Sequence, residues 1–303
     1  MATIASRARM GVAIPQIFID GRVDPALIRA SARLAEDLGF DSLWTQEQLL
    51  GKATSLEPTT LMAYAAAVTL RVRLGVSVYV VPRHDPVRLA KEIATVDQLS
   101  SGRFIVGVGL GGVGTGGVDT PARRLAEGLR LMRALWTTDD VSFDGRAYAV
   151  KNATMNPKPH QQPIPVWFGG RAPSALERAA KHGDGWMGAG GSSIADFKAM
   201  APEVRRLAAA ALKPGFVISK RQYVAIDDNP AHAARRALDW FTAYYGNADL
   251  GRKVVAWGTR ETVRERIEEL VDAGAQHLLL APMYGFEEHY RALAEVTGLR
   301  AVA

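Results

Sequence analysis

Short β-branched apolar runs alternate along the chain with longer stretches in which apolar residues recur every three or four positions. Leu74-Gly-Val-Ser-Val-Tyr-Val-Val81 and Phe104-Ile-Val-Gly-Val108 have strand length and composition. Between them, Pro86 to Leu99 sets Leu89, Ile93, Val96 and Leu99 on one helical face, opened by Asp85-Pro86 and closed by Gly102. The three pieces make one βαβ unit, and strands apolar on both faces belong in a parallel sheet covered by helices. The same alternation predicts a first strand from Met10 to Pro15, a helix from Asp24-Pro25 to Gly39 with Leu27, Leu34 and Leu38 on one side, a second strand Phe40 to Trp44, and a helix Thr59 to Leu70. It recurs after the central unit, with strands at Val166 to Phe168, Gly185 to Met187, Gln222 to Ile226 and His277 to Leu280. About eight strand–helix repeats predict a (β/α)8 TIM barrel, read as one domain over residues 1–303. One stretch breaks the rhythm. Val141 to Val150 holds Asp144-Gly145 between alternating apolar residues, a hairpin signal, and a proline-rich run from Pro157 to Pro165 follows. It is read as a hairpin inside an insertion over about 111–165 that crosses the barrel mouth.

Composition narrows the classes. No apolar run reaches membrane-spanning length, and Met1 to Met10 has two arginines without a signal-peptide core, so a cytoplasmic protein with no membrane partner is expected. The absence of cysteine excludes disulfides, thiolate catalysis and cysteine-ligated metal. The net charge of +6 is spread over helices without interleaved aromatics, so no nucleic-acid partner is expected. It reads either as a mild bias toward anionic small molecules or as a solvated positive surface. His160, His182, His232, His277 and His289 lack metal-ligand spacing, and no metal is predicted.

Candidate chemistry gathers at the carboxyl ends of the strands, where barrels and open α/β sheets keep their sites. Gly107-x-Gly109-x-x-Gly112 has the dinucleotide fingerprint, but no helix begins before about Thr120-Pro121, so the Rossmann reading fails. The tract instead offers backbone without side chains, which lets a flat group approach; a lid loop with no ligand is the plainer reading. In Trp167-Phe-Gly-Gly-Arg-Ala-Pro-Ser174-Ala-Leu-Glu177, Ser174 and Glu177 have capping-box spacing, and Gly169, Gly170 and Arg171 just before them suit a phosphate. Glu47, at the end of the second strand, is placed as an acid, a base or a hydrogen-bonding group; a rim carboxylate in water is the plainer reading. His84-Asp85 invites a dyad, but a helix cap beside an exposed histidine is the preferred reading.

Several of these stretches together resemble the bacterial-luciferase-like monooxygenase superfamily: Ala35 to Trp44, Pro86 to Phe104 with Gly107-Val-Gly109, Pro163 to Gly170 with Gly183-Asp-Gly-Trp186, and Trp257 to Arg264 with Ala273 to Leu280. The resemblance runs in order over nearly the whole chain and implies a luciferase-like barrel, a homodimer, a small organic substrate, and either coenzyme F420 or FMN. It implies a non-proline cis peptide at Ser77–Val78 behind the coenzyme ring, coenzyme contacts at Gly107 and Gly109, a phosphate end at Gly169, Gly170 and Arg171, and an acidic residue near the ring at Glu47. Two departures bear on the chemistry. Gln48 stands where luciferases, and some deazaflavin dehydrogenases, carry a catalytic histidine. Leu110 stands where luciferases hold the FMN phosphate with arginine. With Gly109, the resemblance implies an F420-dependent oxidoreductase in which Glu47 orients or protonates and Gln48 at most donates a hydrogen bond. An FMN-dependent monooxygenase and a non-catalytic coenzyme binder are the alternatives. The loop after Gly112 is shorter than in the family and lacks its Trp and acidic residues, which leaves the substrate unnamed.

Overall fold

The structure is a computed structural model and describes residues 3–111 and 120–301. Gly112 and the loop after it therefore lie outside the described residues. Eight strands run parallel: β1 Arg9–Ala13, β2 Ser42–Thr45, β3 Arg73–Val80, β4 Phe104–Gly109, β5 Val166–Gly169, β6 Gly185–Gly188, β7 Val217–Ile226 and β8 His277–Pro282. Each pairs with the next, and the ring closes where Arg9 of β1 stands opposite His277 of β8. This is the expected (β/α)8 barrel. A further short strand, Val255–Gly258, pairs with the far end of β7 outside the ring.

The helices are α1 Pro25–Asp37, α2 Pro58–Val68, α3 Pro86–Leu99, α4 Pro121–Thr137, α5 Pro173–His182, α6 Ile194–Ala210, α7 Pro230–Tyr245, α8 Ala248–Val254, α9 Arg260–Asp272 and α10 Phe286–Thr297. Several open on the same chemistry. Asp24, Glu57, Asp85 and Asn229 accept backbone N–H groups of the first turn, and proline follows each at a position whose N–H has no intrahelical partner. No helix among the described residues is long and apolar enough to cross a membrane.

Three local expectations are corrected. Leu99 is 62% exposed: at about 100° per residue it falls about 80° off the line through Leu89, Ile93 and Val96, and buried Ser100 takes its place. Helix α5 begins two residues early, with Ala172 at its cap and Pro173 at its first position, so Ser174 and Glu177 form no capping box. The reciprocal box is at α6 instead, between Ser193 and Asp196. The hairpin Val141–Asp144 with Ala149–Ala153 exists but does not span the mouth. The N–H of Ala147 donates to Glu127 of α4, the Arg124 guanidinium stacks on Tyr148, and Lys91 and Gln98 of α3 donate to carbonyls of Asn156 and Lys158. These contacts lay it along the outer face of α3 and α4.

The barrel interior is filled by Trp44, Ile105, Trp167, Met187 and Leu279. Trp44 and Trp167 stack at 5.4 Å, and Gly75 leaves the room that Trp44 occupies. His277 lies against both indoles and is bonded on each ring nitrogen, to the hydroxyls of Ser42 and Ser219, each at 2.8 Å. Burial, with Arg9 and Arg73 nearby, holds its imidazole well below the usual histidine range. It is a neutral core residue in a closed floor, and everything above that floor is the mouth.

Candidate active site

One side of the mouth is built from β3, β4 and β5. The β3–β4 register runs from Leu74–Phe104 to Val76–Val106, then shifts before resuming at Tyr79–Val108. Ser77–Val78 lies in the shift, and its peptide bond is cis, as the resemblance implies. Here the Val78 side chain faces three glycines. A Cβ at Gly109 would lie 2.6 Å from Val78 Cγ2, and one at Gly169 would lie 3.0 Å from Cγ1. A Cβ at Gly107 would collide with the Val76 carbonyl oxygen. Ser77, Val78, Gly107, Gly109 and Gly169 thus come together, and the glycines are required by close packing before any ligand is considered. Gly170, at φ +138°, and exposed Arg171 follow β5 directly; Arg171 Nη1 donates to the Gly191 carbonyl at 3.4 Å, bridging the turns after β5 and β6.

The stretch of rim from β2 onward, next to β3, carries polar side chains. Glu47 is not a rim carboxylate: its side chain is 1% exposed. Its Oε2 accepts the Val80 N–H at 3.1 Å and lies 2.6 Å from His84 Nε2, while Oε1 is buried without a partner. His84 is correspondingly covered, which corrects the reading of an exposed histidine; Asp85 beside it caps α3 as expected. Gln48 folds back over Gly51, its Oε1 buried and unpartnered. Deeper in, Gln46 donates to Tyr244 Oη at 2.6 Å, Tyr223 Oη donates to Gln46 Oε1 at 3.3 Å and lies 2.7 Å from Tyr245 Oη. Burial pushes the Tyr223 and Tyr244 hydroxyls up, so both remain neutral hydrogen-bonding groups.

Sequence reading missed β7's contribution. Ser219, Lys220, Arg221 and Gln222 are all buried inside the strand, which begins at Val217, five residues before the Gln222 expected from the sequence. Lys220 Nζ donates to the carbonyls of Ala189, Ser192 and Arg221. Burial and the adjacent Arg221 guanidinium pull its ammonium down to about 7, against three carbonyls that favour the charged form. Arg221 lies over the Tyr223 ring, 4.8 Å from its centroid. The available signal was two adjacent cations within a strand-length window otherwise bounded by apolar residues.

Comparison with known proteins agrees with this geometry. Residues 10–250 match the luciferase-like monooxygenase family. An F420-dependent glucose-6-phosphate dehydrogenase of Kineococcus radiotolerans is 30% identical over 232 residues, 71% of this chain and 68% of that one. An FMNH2-dependent dimethylsulfone monooxygenase of Pseudomonas putida is 31% identical over 211 residues, 63% of this chain and 58% of that one. Among solved structures, an F420-dependent secondary alcohol dehydrogenase in complex with an F420–acetone adduct superposes with a TM-score of 0.82 at 22% identity, covering 99% of each chain, which shows the shared fold. The chain belongs to the luciferase-like monooxygenase family.

Proposed function

We propose that this protein is an F420-dependent oxidoreductase that moves a hydride between the deazaflavin and a small organic substrate. The residues fit a flat heterocycle: a wall of Gly107, Gly109 and Gly169 around Val78 faces a rim where Glu47 Oε1 and Gln48 Oε1 are buried without partners. The observation that carries the choice of coenzyme is the end of β4. Leu110 is packed against the core and supplies no cation for an FMN phosphate, and Gly109 adds no side chain beyond Val78. Gly169, Gly170 and Arg171 are assigned to the phosphate end.

When bound, the deazaflavin supplies the hydride at C5. The remaining work falls on the chain. Reduction of a carbonyl requires one hydride on carbon and one proton on oxygen, and Glu47 Oε1 is the buried atom free to exchange that proton. The Val80 N–H and His84 fix the carboxylate through Oε2, and the His84 side chain, 18% exposed, links it to solvent. Gln48 lines the same rim as a neutral hydrogen-bonding group. A non-catalytic binder is motivated by the absence of histidine at position 48; His84, arriving from the next strand, supplies the imidazole that reading lacks. The Pseudomonas putida relative favours reduced FMN and oxygen as a second reading.

Separate titrations of the purified protein with F420 and with FMN, following the fluorescence of each, test the assignment. The expected result is saturable quenching of F420 at micromolar level or tighter, with none for FMN. Binding of FMN alone would overturn the proposal.

A further inference from the structure

Arg221 is the most conspicuous buried group that the reaction above leaves unused. It is 7% exposed, and its Nε is buried without a hydrogen-bond partner. Its Nη1 donates to the Ser77 carbonyl at 3.4 Å, a long hydrogen bond to a neutral acceptor that leaves the charge without an anion. Among the described residues, no carboxylate lies within ion-pair distance of it. Burying a guanidinium costs free energy unless an anion meets it. The side chain is nevertheless held in place: it stacks on Tyr223, and the bare backbone of Gly190 lets both pass, since a Cβ there would lie 3.1 Å from Arg221 Cδ and from Tyr223 Cε2.

The surroundings point the same way. Arg221 lines a cavity between the ends of β1, β2, β7 and β8, together with Thr45, Tyr223 and Trp240. Thr45 Oγ1 and Trp240 Nε1 are also buried without partners, so the unsatisfied atoms of this cavity are Arg221 Nε, an indole N–H and a hydroxyl. All three are donors, and none of the cavity's neighbours answers them. The Gln46 and Gln16 acceptors are already engaged, by Tyr223 Oη and by the Gln46 N–H. The cavity holds about 20 Å³, room for about one water, so of any substrate only a terminal polar atom enters it. The adjacent Lys220 turns its ammonium to backbone carbonyls, which leaves Arg221 as the cation that β7 offers to the cavity.

We infer that the substrate carries a carboxylate, received by Arg221 with Thr45 and Trp240 as the further donors. This rests on the reading of the mouth as the site of a hydride transfer to a small organic molecule. It divides the mouth: the reacting carbon lies toward Glu47 and the glycine wall, and the anionic end lies toward β7. Arg221 is a substrate-binding and specificity residue here, and two donors from one planar group favour a carboxylate over a neutral amide of the same shape.

The test is calorimetric titration of the wild-type chain, with and without F420, using pyruvate and its neutral isostere pyruvamide, with inorganic phosphate as a third probe. Pyruvate is expected to bind at least tenfold tighter than pyruvamide, and tighter than phosphate. Arg221→Gln should erase the pyruvate preference while leaving F420 affinity within twofold. Equal binding of pyruvate and pyruvamide to the wild type overturns the inference without needing any variant. Tighter binding of phosphate overturns the carboxylate assignment. A tenfold loss of F420 affinity in Arg221→Gln, with the pyruvate preference kept, assigns the guanidinium to the coenzyme and also overturns it. Because pyruvate is measured on the chain alone, failure of F420 to bind would count against the coenzyme and leave the anion result standing.

Discussion

The two sides of the barrel mouth are built on opposite plans. On β4 and β5, Gly107, Gly109 and Gly169 leave the backbone bare, packed so closely on β3 that the Val78 side chain and the Val76 carbonyl fill the space a Cβ would take. On β2 and β7, polar side chains are buried together, and several of their atoms, Glu47 Oε1, Thr45 Oγ1 and Arg221 Nε, have no partner. The first side satisfies itself and presents a surface. The second is unsatisfied, and a buried polar group without a partner costs free energy until a ligand answers it. Under the proposed function, the flat ring belongs to the first side and the polar, reacting end of the substrate to the second.

Substitutions on the glycine side should separate backbone crowding from side-chain crowding. Gly107→Ala meets a backbone oxygen that cannot turn away, and should cost about 3 kcal/mol or more in denaturant unfolding. Val78→Ala should not rescue it. Gly109→Ala meets only Val78 Cγ2 and should cost about 1–2 kcal/mol, most of it recovered in the Gly109→Ala/Val78→Ala double variant. Rescue of both or of neither would break the distinction drawn between the two glycines.

Acid should act on the floor beneath both sides. His277 is neutral when folded, so below its ordinary value of 6.5 the unfolded chain binds a proton that the folded chain refuses. Stability is therefore complete above about 6.5 and falls as pH drops below it. His277→Gln should flatten that fall in urea midpoints measured across pH 5 to 7.

What was legible in the sequence follows from what is local. The β3–α3–β4 unit, the Asp85 cap and the barrel alternation rest on periodicity and capping within a few residues, and each is found. The start of β7 was missed because Ser219, Lys220 and Arg221 are polar by residue type; their burial depends on His277, on the turn after β6 and on Ser77, partners from elsewhere in the chain. His84 was misjudged for the same reason: its partner Glu47 is 37 positions away. The capping box at Ser174 failed locally, because Pro173 starts a helix more readily than a serine one residue later caps it. Polar residues inside a strand-length window, with no local reason to be there, are the signal that would have found the donor side.

The division of the mouth is tested most directly by measuring two ligands, F420 and pyruvate, on two variants, Gly109→Val and Arg221→Gln. A crossed pattern is expected: Gly109→Val loses at least tenfold in F420 affinity and keeps pyruvate within twofold, while Arg221→Gln does the reverse. If either variant weakens both ligands alike while remaining folded, the mouth is one undivided site and its division between ring and anion does not exist.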